Sequence, residues 1–164
     1  MGDSSTPVDD WFQQAHGSAL GKLLFFTDLR TVALVLLGAV AVALWGRRWM
    51  LALVMMVSPV AAVMIARALK HLFGRQKEGA LAYPSGHTTL MVVVLGMVVL
   101  ALGARWWVVV GAAVWAVLGV LGQAVSYHYF TDAVGAVLLG SSVVCIAAAI
   151  VRRARHPSFT PASP

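Results

Sequence analysis

Long apolar stretches separated by short polar connections dominate the amino-acid sequence. They lie at residues 29–46, 49–69, 87–103, 106–125 and 133–151. Each approaches the roughly 20 residues that a helix needs to cross the hydrocarbon core of a membrane, although the first and third are short. Valine and alanine fill these stretches without the strict alternation that β-barrel strands of about 10 residues would show. The pattern therefore predicts an all-α, polytopic membrane bundle of about five transmembrane helices.

The two ends of the chain differ from this apolar middle. In residues 1–28, the acids Asp3, Asp9 and Asp10 are followed by aromatic and aliphatic residues mixed with polar ones, which predicts an interfacial amphipathic helix. A signal peptide is not expected, because acids precede the apolar part and no basic start is present. Residues 29–151 form the predicted transmembrane domain. Residues 152–164, which contain three prolines, are predicted to be a disordered cytoplasmic tail.

Composition supports the membrane class. The 164 residues are 60% hydrophobic and 11% charged, with a mean hydropathy of +0.86, and a soluble domain of this size needs more polar surface. The net charge of +6 does not predict nucleic-acid binding, because the cations are divided between two membrane faces. Cys145 is the only cysteine, so no disulfide can form within the chain, and it is expected to be buried in the last span. The bias toward alanine, valine and arginine is typical of a GC-rich bacterial genome and predicts a bacterial inner (plasma) membrane.

Arginine and lysine predict the orientation. With five helices, one membrane face carries Arg47, Arg48, Arg105, Arg152, Arg153 and Arg155. The positive-inside rule makes that face cytoplasmic. The opposite face has as many cations, namely Lys22, Arg30, Arg67, Lys70, Arg75 and Lys77. The prediction therefore depends on assigning the last four of these to a substrate site, and it puts the N-terminus outside, the C-terminus inside and the polar loops on the extracytoplasmic side.

The first chemically informative segment is Pro84-Ser85-Gly86-His87, immediately before the third apolar stretch. Ser85 is suited to cap the helix, and Gly86 allows a ligand to approach the backbone closely. Free amides and the helix dipole favour an anion such as phosphate at this position. His87 could then act on the leaving group. The alternative is a histidine that is simply satisfied at a helix cap.

The second segment contains His128 and Asp132. They are four residues apart, so they share a face if the last helix begins here, and the carboxylate can accept a proton from one imidazole nitrogen. The other nitrogen would then be a nucleophile aimed at phosphorus. The alternative is a helix-capping Asp132 beside the interfacial aromatic residues Tyr127, Tyr129 and Phe130.

A third polar segment runs from Lys70 to Lys77. Lys70, Arg75 and Lys77 could bind a phosphate, or they could form a solvated basic loop or contact lipid headgroups. Arg67 lies within the second apolar stretch, so it needs either the interface or a partner such as Glu78 or a phosphate.

Together the three segments resemble the type 2 phosphatidic acid phosphatase family. The family pattern is Lys-x6-Arg-Pro, then Pro-Ser-Gly-His, then Ser-Arg-x5-His-x3-Asp. The second element matches completely, and Lys70, His128 and Asp132 match in the other two. Lys77 and Glu78 replace the Arg-Pro of the first element, and Leu121-Gly122 replaces the Ser-Arg of the third. The resemblance covers roughly residues 60–140.

The resemblance implies metal-independent hydrolysis of a lipid phosphomonoester or pyrophosphate, with no cofactor. His128 would attack phosphorus to give a phosphohistidine, Asp132 would orient it, and His87 would protonate the departing oxygen. The residues expected to hold the phosphoryl group are Lys70, Arg75, Lys77, Ser85 and Gly86. Loss of the family arginine removes one preorganised donor, which typically costs about 10²–10³ in rate. Arg75, Arg67 or Gln123 could compensate.

The sequence thus predicts an integral-membrane lipid phosphatase whose partners are a lipid phosphate and the surrounding lipids. The candidate substrates are a polyprenyl phosphate or diphosphate, phosphatidylglycerophosphate, phosphatidic acid and a lipid-linked sugar phosphate. Two alternatives remain: a catalytically silent relative that binds anionic lipid, and a lipid-to-lipid phosphotransferase. Close-packing glycines would serve contacts inside a monomer or within a homo-oligomer; they are Gly111, Gly119, Gly122, Gly135 and Gly140.

Overall fold

The protein is an all-α helical bundle. The computed structural model describes residues 6–14, 19–74, 76–77 and 80–155. In chain order the elements are α1 (Pro7–Gln14), a 3₁₀ helix (Ala19–Thr27), α2 (Leu29–Trp45), α3 (Trp49–Phe73), β1 (Gln76–Lys77), β2 (Ala80–Leu81), α4 (Gly86–Leu102), α5 (Trp106–Ser126) and α6 (Phe130–Arg155). The two short strands pair antiparallel as a small hairpin between α3 and α4.

Four of the described helices are long and apolar enough to cross a membrane, which makes this a membrane protein. They are the continuous 3₁₀–α2 segment Ala19–Trp45, α3, α5 and most of α6, Phe130–Ala154. The remaining apolar helix, α4, has 17 residues and is shorter than a usual span. Helices α2 to α6 coincide within a few residues with the five predicted apolar stretches, and the prediction of an all-α helical bundle is confirmed.

Helix α4 occupies the centre of the bundle, where it packs against α2, α3, α5 and α6. It is apolar on all sides, as expected for a helix with neighbours all around. Met91 and Val94 face α2 and α5, while Val93 and Met97 join the larger core formed with α2, α3 and α6. Helix α4, which has only 17 residues, is therefore enclosed by its neighbours on all sides.

Glycines allow close approach at several of these contacts. A Cβ on Gly140 would lie 2.8 Å from a methyl group of Val92, so α6 and α4 could not pack as they do with a larger residue there. Gly119, Gly122 and Gly135 are equally crowded by other parts of the chain, whereas Gly111 has open space beside it. Four of the five predicted close-packing glycines thus serve contacts within the monomer.

The N-terminal segment forms two short helices where the sequence predicted one amphipathic helix. Thr6 and Asp9 form a capping box at the start of α1, with Pro7 in the first helical position. The 3₁₀ helix then packs along α5, and the indole Nε1–H of Trp115 donates to the carbonyl of Phe26 at 2.9 Å. The second half of the segment is therefore part of the bundle.

The arginines that were predicted to be cytoplasmic lie at the end of the bundle away from the 3₁₀ helix. The guanidinium of Arg48 donates to the carbonyl of Ala101 at 3.0 Å, which ties the start of α3 to the end of α4. Helix α6 continues to Arg155, four residues beyond the predicted boundary at residue 151, and the rest of the predicted tail lies outside the described residues. Cys145, expected to be buried, is exposed on the outer surface of α6.

Candidate functional site

His87 and His128 line the same cavity. It has a volume of about 760 Å³ and lies between the 3₁₀ helix, the start of α4 and the end of α5; its lining comprises Leu24, Phe25, Thr27, Asp28, Leu29, His87, Gln123, Tyr127 and His128. The His87 imidazole is close enough to His128, Lys70 and Asp28 to interact with each of them electrostatically. Two histidines that are 41 positions apart in the sequence thus face one space.

Ser85 is the N-cap of α4, as the sequence predicted. Its hydroxyl oxygen accepts from the backbone N–H of Thr88 at 3.4 Å and from the Thr88 hydroxyl at 3.1 Å. The Ser85 side chain is fully buried, and it does not belong to the described lining of the cavity. Gly86 begins the helix with open space beside its Cα, so its backbone can be approached closely. The helix start, more than the serine hydroxyl, is therefore available to an anion.

His128 lies in the turn before α6, two residues ahead of the first helical residue, Phe130. The sequence predicted that His128 and Asp132 share a face of the last helix, but His128 lies in the preceding turn instead. The N–H of His128 donates to the carbonyl of Gln123 at 2.9 Å and closes this turn. The Nδ1 atom of His128 is 3.7 Å from Oδ2 of Asp132. That distance permits an electrostatic interaction and is slightly too long for a hydrogen bond.

Asp132 is fully buried in the first turn of α6. Its Oδ2 accepts from the backbone N–H of Tyr129 at 3.2 Å, which is the capping role that the sequence left open as an alternative. Its carbonyl accepts from the N–H of Ser85 at 3.3 Å. One residue therefore caps the turn that carries His128 and joins that turn to the Ser85 segment, and its Oδ2 atom also lies 3.7 Å from the His128 ring.

Lys70 lies in the last turn of α3. Its ammonium donates to the carbonyl of Leu81 at 3.0 Å, and its charge interacts with Asp132 and His87. It does not contribute to the described lining of the cavity. Lys70 thus holds the hairpin against the helix while adding positive charge near both motif segments.

The other predicted cations are only partly within the described residues. Lys77 lies in β1, where its backbone is paired with Ala80, and its side chain is outside the description. Arg75 and Glu78 also lie outside the described residues. Arg67 is exposed and lines an apolar groove of about 380 Å³ between α2, α3 and α4. The lining of the histidine cavity contains no lysine or arginine among the residues that the structure describes.

Two further polar residues line the cavity: Asp28, which the sequence analysis did not single out, and Gln123, which it named only as a possible substitute for the missing arginine. Asp28 caps α2, accepting from the N–H groups of Arg30 and Thr31, and its carboxylate also faces the cavity. Gln123 lies in the last turn of α5 and is 4% exposed. Its polarity at the end of an apolar stretch was the available signal, while Asp28 could be recognised only as a helix cap.

Gly122 lies directly against the backbone of the 3₁₀ helix. A Cβ built on Gly122 would lie 2.7–2.9 Å from backbone atoms of Leu23 and Leu24 in the 3₁₀ helix. Backbone atoms cannot move aside as a flexible side chain can. The docked 3₁₀ helix and a large side chain at position 122 are therefore mutually exclusive.

Asp9 connects α1 to the start of α6. Its carboxylate accepts from the backbone N–H of Thr131 at 3.1 Å and from the Thr131 hydroxyl at 3.2 Å, while Phe12 stacks on Phe130 with ring centroids 4.8 Å apart. Asp9 is fully buried, and burial raises its pKa, but the hydrogen bonds from Thr6 and Thr131 outweigh burial and hold the pKa below the ordinary value of 3.8. The first helix is thus fastened one residue away from Asp132.

The assembled site can bind an anion at a helix start and present two imidazoles to it. Across the described ranges, no three His, Cys, Asp or Glu side chains gather closely enough to hold a metal ion. The resemblance to the type 2 phosphatidic acid phosphatases stays a prediction that depends on the motif residues. No family model, curated protein or solved structure matches this chain.

Proposed function

We propose that this protein is a lipid phosphatase of the membrane. The observation that carries the proposal is the presence of His87 and His128 in one cavity, with Asp132 behind His128. A histidine oriented by a buried acid has the arrangement of an activated nucleophile, and a second histidine across the same space can act as general acid. The family resemblance adds the reaction class, which is hydrolysis of a phosphomonoester or pyrophosphate.

The proposed reaction has two steps. Since Nδ1 of His128 faces Asp132, the free Nε2 attacks phosphorus, and the bond from phosphorus to the lipid oxygen breaks as His87 donates a proton to that oxygen. In the second step, His87 takes a proton from water, the hydroxide oxygen bonds to phosphorus, and the bond from phosphorus to Nε2 breaks. Phosphate leaves, and both histidines return to their starting states. Asp132 stabilises the positive charge that His128 carries between the steps.

Positive charge for the phosphoryl group comes from several sources in this proposal. The free amides at Gly86 lie at a helix N-terminus, and Lys70 adds a nearby ammonium. We assign Lys77 and Arg75 to the same role, with Ser85 shaping the loop as its cap. The Asp28 carboxylate in the cavity lining repels an anion. The cations must therefore offset the negative charge of Asp28 in addition to binding the phosphoryl group.

The cavity also has an apolar side. Leu24, Phe25 and Leu29 line it together with the polar residues. A lipid tail could remain against this side while its phosphate reaches the histidines. The proposed substrates are polyprenyl phosphates or diphosphates and glycerolipid phosphates, and the volume of about 760 Å³ accommodates more than a bare phosphate.

For the membrane arrangement, we propose that α4 is a fifth span within a bacterial plasma membrane. Its position among the four longer apolar segments supports this, because its ends need not reach the lipid headgroups themselves. The arginines at the opposite end of the bundle would be cytoplasmic by the positive-inside rule. The histidine cavity would then face the extracytoplasmic side.

Phosphate release from purified protein tests the proposal. The assay uses a panel of alkyl and polyprenyl phosphates with EDTA present, and it compares the wild type with His128→Ala and His87→Ala. Both variants should lose at least about 10²-fold in rate, as expected for a nucleophile and a general acid. Ser142→Ala is the matched control, since its hydroxyl donates to Leu138 on the exposed side of α6. Full activity in both histidine variants would reject the site, and loss of all activity with EDTA would favour a metal mechanism.

A second candidate function is a non-catalytic binder of anionic lipid. It is favoured by Gly122, whose crowding excludes the arginine expected at this position, and by the lack of lysine or arginine in the described cavity lining. Binding of a lipid phosphate without any phosphate release would support this second function. Product analysis separates hydrolysis from transfer of the phosphoryl group to a second lipid.

A further inference from the structure

A separate pocket lies at the arginine-rich end of the bundle, away from the histidine cavity. It has a volume of about 340 Å³, which is within the range of small-ligand sites, and it lies between the turn that joins α2 to α3 and the last turns of α6. Its lining comprises Arg47, Arg48, Trp49, Met50, Leu51, Val151 and Ala154, and we call it the arginine pocket. Two cationic side chains thus line one space together with apolar ones.

The two arginines of this pocket are held differently. The Arg48 guanidinium donates to the carbonyl of Ala101 at 3.0 Å, which fixes its position beside the pocket. A guanidinium has five N–H donors, so this one bond does not exhaust them. Arg47 is exposed, and its backbone has a φ of 53°, a left-handed conformation that glycine adopts more easily than arginine. The pocket thus combines a fixed cation with an exposed one.

The sequence places no acidic side chain near these arginines. The acids are Asp3, Asp9, Asp10, Asp28, Glu78 and Asp132, so none lies between residues 29 and 77 or after residue 132. In the described part of the chain, Asp9, Asp28 and Asp132 lie at the other end of the bundle, near the histidine cavity. Arg152 and Arg153, between two lining residues of α6, are exposed and add positive charge. An anion from outside the chain is therefore the complementary partner.

Exposed tryptophans indicate that the arginine pocket lies at the level of the lipid headgroups. Among the described residues, those at this end of the bundle are Trp45, Trp49, Trp106 and Trp107. Tryptophan is enriched at the boundary between membrane and water, because the indole has an apolar body and a polar N–H. Met50 and Val151 give the pocket an apolar side as well. This combination suits a ligand with an anionic head and an apolar tail.

We infer that the arginine pocket binds an anionic phospholipid, with Arg47 and Arg48 donating to the oxygens of its phosphodiester and the start of its acyl chains against Met50. A guanidinium can donate two parallel hydrogen bonds to phosphate oxygens, and basic pockets between membrane helices bind lipid headgroups. The bound lipid would connect the α2–α3 turn to the end of α6. The inference concerns a site apart from the histidine cavity and does not depend on the proposed function.

Binding of short-chain lipids to the purified full-length protein in detergent tests the inference. The probes are dioctanoyl phosphatidylglycerol, dioctanoyl phosphatidylcholine and glycerophosphoglycerol, and native mass spectrometry gives their dissociation constants. Phosphatidylglycerol should bind at least about 5-fold more tightly than either of the others. The choline lipid has a cation that the arginines repel, and glycerophosphoglycerol lacks the acyl chains that the apolar side would bury.

Arg47→Gly is the informative variant, since glycine adopts the left-handed turn readily and the fold should be kept. Binding of phosphatidylglycerol should weaken by about 5- to 10-fold, as expected for one charge-assisted hydrogen bond from an exposed side chain. The melting temperature of the lipid-free variant should be unchanged or raised. Arg105→Gly is the matched control, because Arg105 is an exposed arginine at the same end whose side chain makes no capping hydrogen bond and does not line the pocket. Its binding should stay within about twofold of the wild type, since salt screens more distant charges.

The outcomes are distinct. Weaker binding in Arg47→Gly alone supports the site. Equal weakening in both variants would indicate a diffuse attraction to the positive end of the bundle and would overturn the inference. Equally tight binding of phosphatidylcholine would also overturn it, as would the absence of phosphatidylglycerol binding to the wild type. If glycerophosphoglycerol binds as tightly as the lipid, the pocket takes a free anion and the assignment to a lipid is wrong.

Discussion

Replacing Asp9 by alanine should loosen two helix ends at once. The carboxylate of this one residue accepts from the N–H and hydroxyl of Thr6 at the start of α1, and from the N–H and hydroxyl of Thr131 at the start of α6. Both N–H groups lie in the first turn of a helix, where the helix backbone itself supplies no carbonyl acceptor. Alanine would leave them without their acceptor.

The expected magnitude follows from this double role. Loss of an N-terminal cap typically costs about 1 kcal/mol, so two ends give about 2 kcal/mol. That corresponds to a roughly 30-fold increase in the population in which α1 has detached and unfolded. Asp9→Asn keeps an acceptor oxygen and loses only the charge at the two helix N-termini, so its effect should be smaller.

Hydrogen exchange with mass spectrometry measures this population directly. In Asp9→Ala, exchange should rise in α1 and in the first turn of α6, with α3 and α4 unchanged. Asp10→Ala is the control, since Asp10 is the exposed neighbour on the same helix. An increase below about threefold, or one confined to α1, would refute the idea that a single carboxylate secures both helices.

Three further outcomes are expected. In the wild type, the protection from exchange that Asp9 provides should be complete above pH 3.8. It should be lost as the pH falls below 3.8 and through the lowered pKa of Asp9 in the folded protein. After correction for the intrinsic exchange rate, Asp9→Ala should show no such step. Gly122→Leu should displace the 3₁₀ helix and lower thermal stability in detergent, in contrast to Gly111→Leu, whose position has open space; equal melting temperatures would contradict the crowding seen at Gly122. Asp132→Asn retains a cap for Tyr129 but should lower phosphate release by about 10²–10⁴-fold, and an unchanged rate would remove its orienting role.

Much of the architecture could be predicted because each apolar helix is many residues long, whereas the error in predicting its first and last residue is only a few residues. The Ser85 cap was equally predictable, since a capping serine acts on the residue three positions later. The position of His128 was not, because whether it precedes or joins α6 depends on where the turn after α5 closes. A four-residue spacing is consistent with both arrangements.

The contacts across the site were less accessible to sequence reasoning. Asp9 and Thr131 are separated by 122 positions, and neither residue carries a pattern that indicates the other. Gly122 could be recognised as a departure from a motif, but its contact with the backbone of the 3₁₀ helix could not. Gln123 is hydrogen-bonded to Thr27, which is 96 positions away in the sequence. Such pairings depend on packing geometry, which periodicity does not encode.

The enclosed position of α4 changes which substitutions that helix can accept. In a bilayer its surroundings would be the side chains of four neighbouring helices, so shape complementarity would constrain its residues more strongly than affinity for hydrocarbon. Thr88 and Thr89 are fully buried there, and the Thr89 hydroxyl donates back to the carbonyl of Ser85 at 2.8 Å. Small polar residues with a local acceptor should therefore be tolerated along α4, whereas an added methylene should be more disruptive than it would be on the outward faces of α2 or α5.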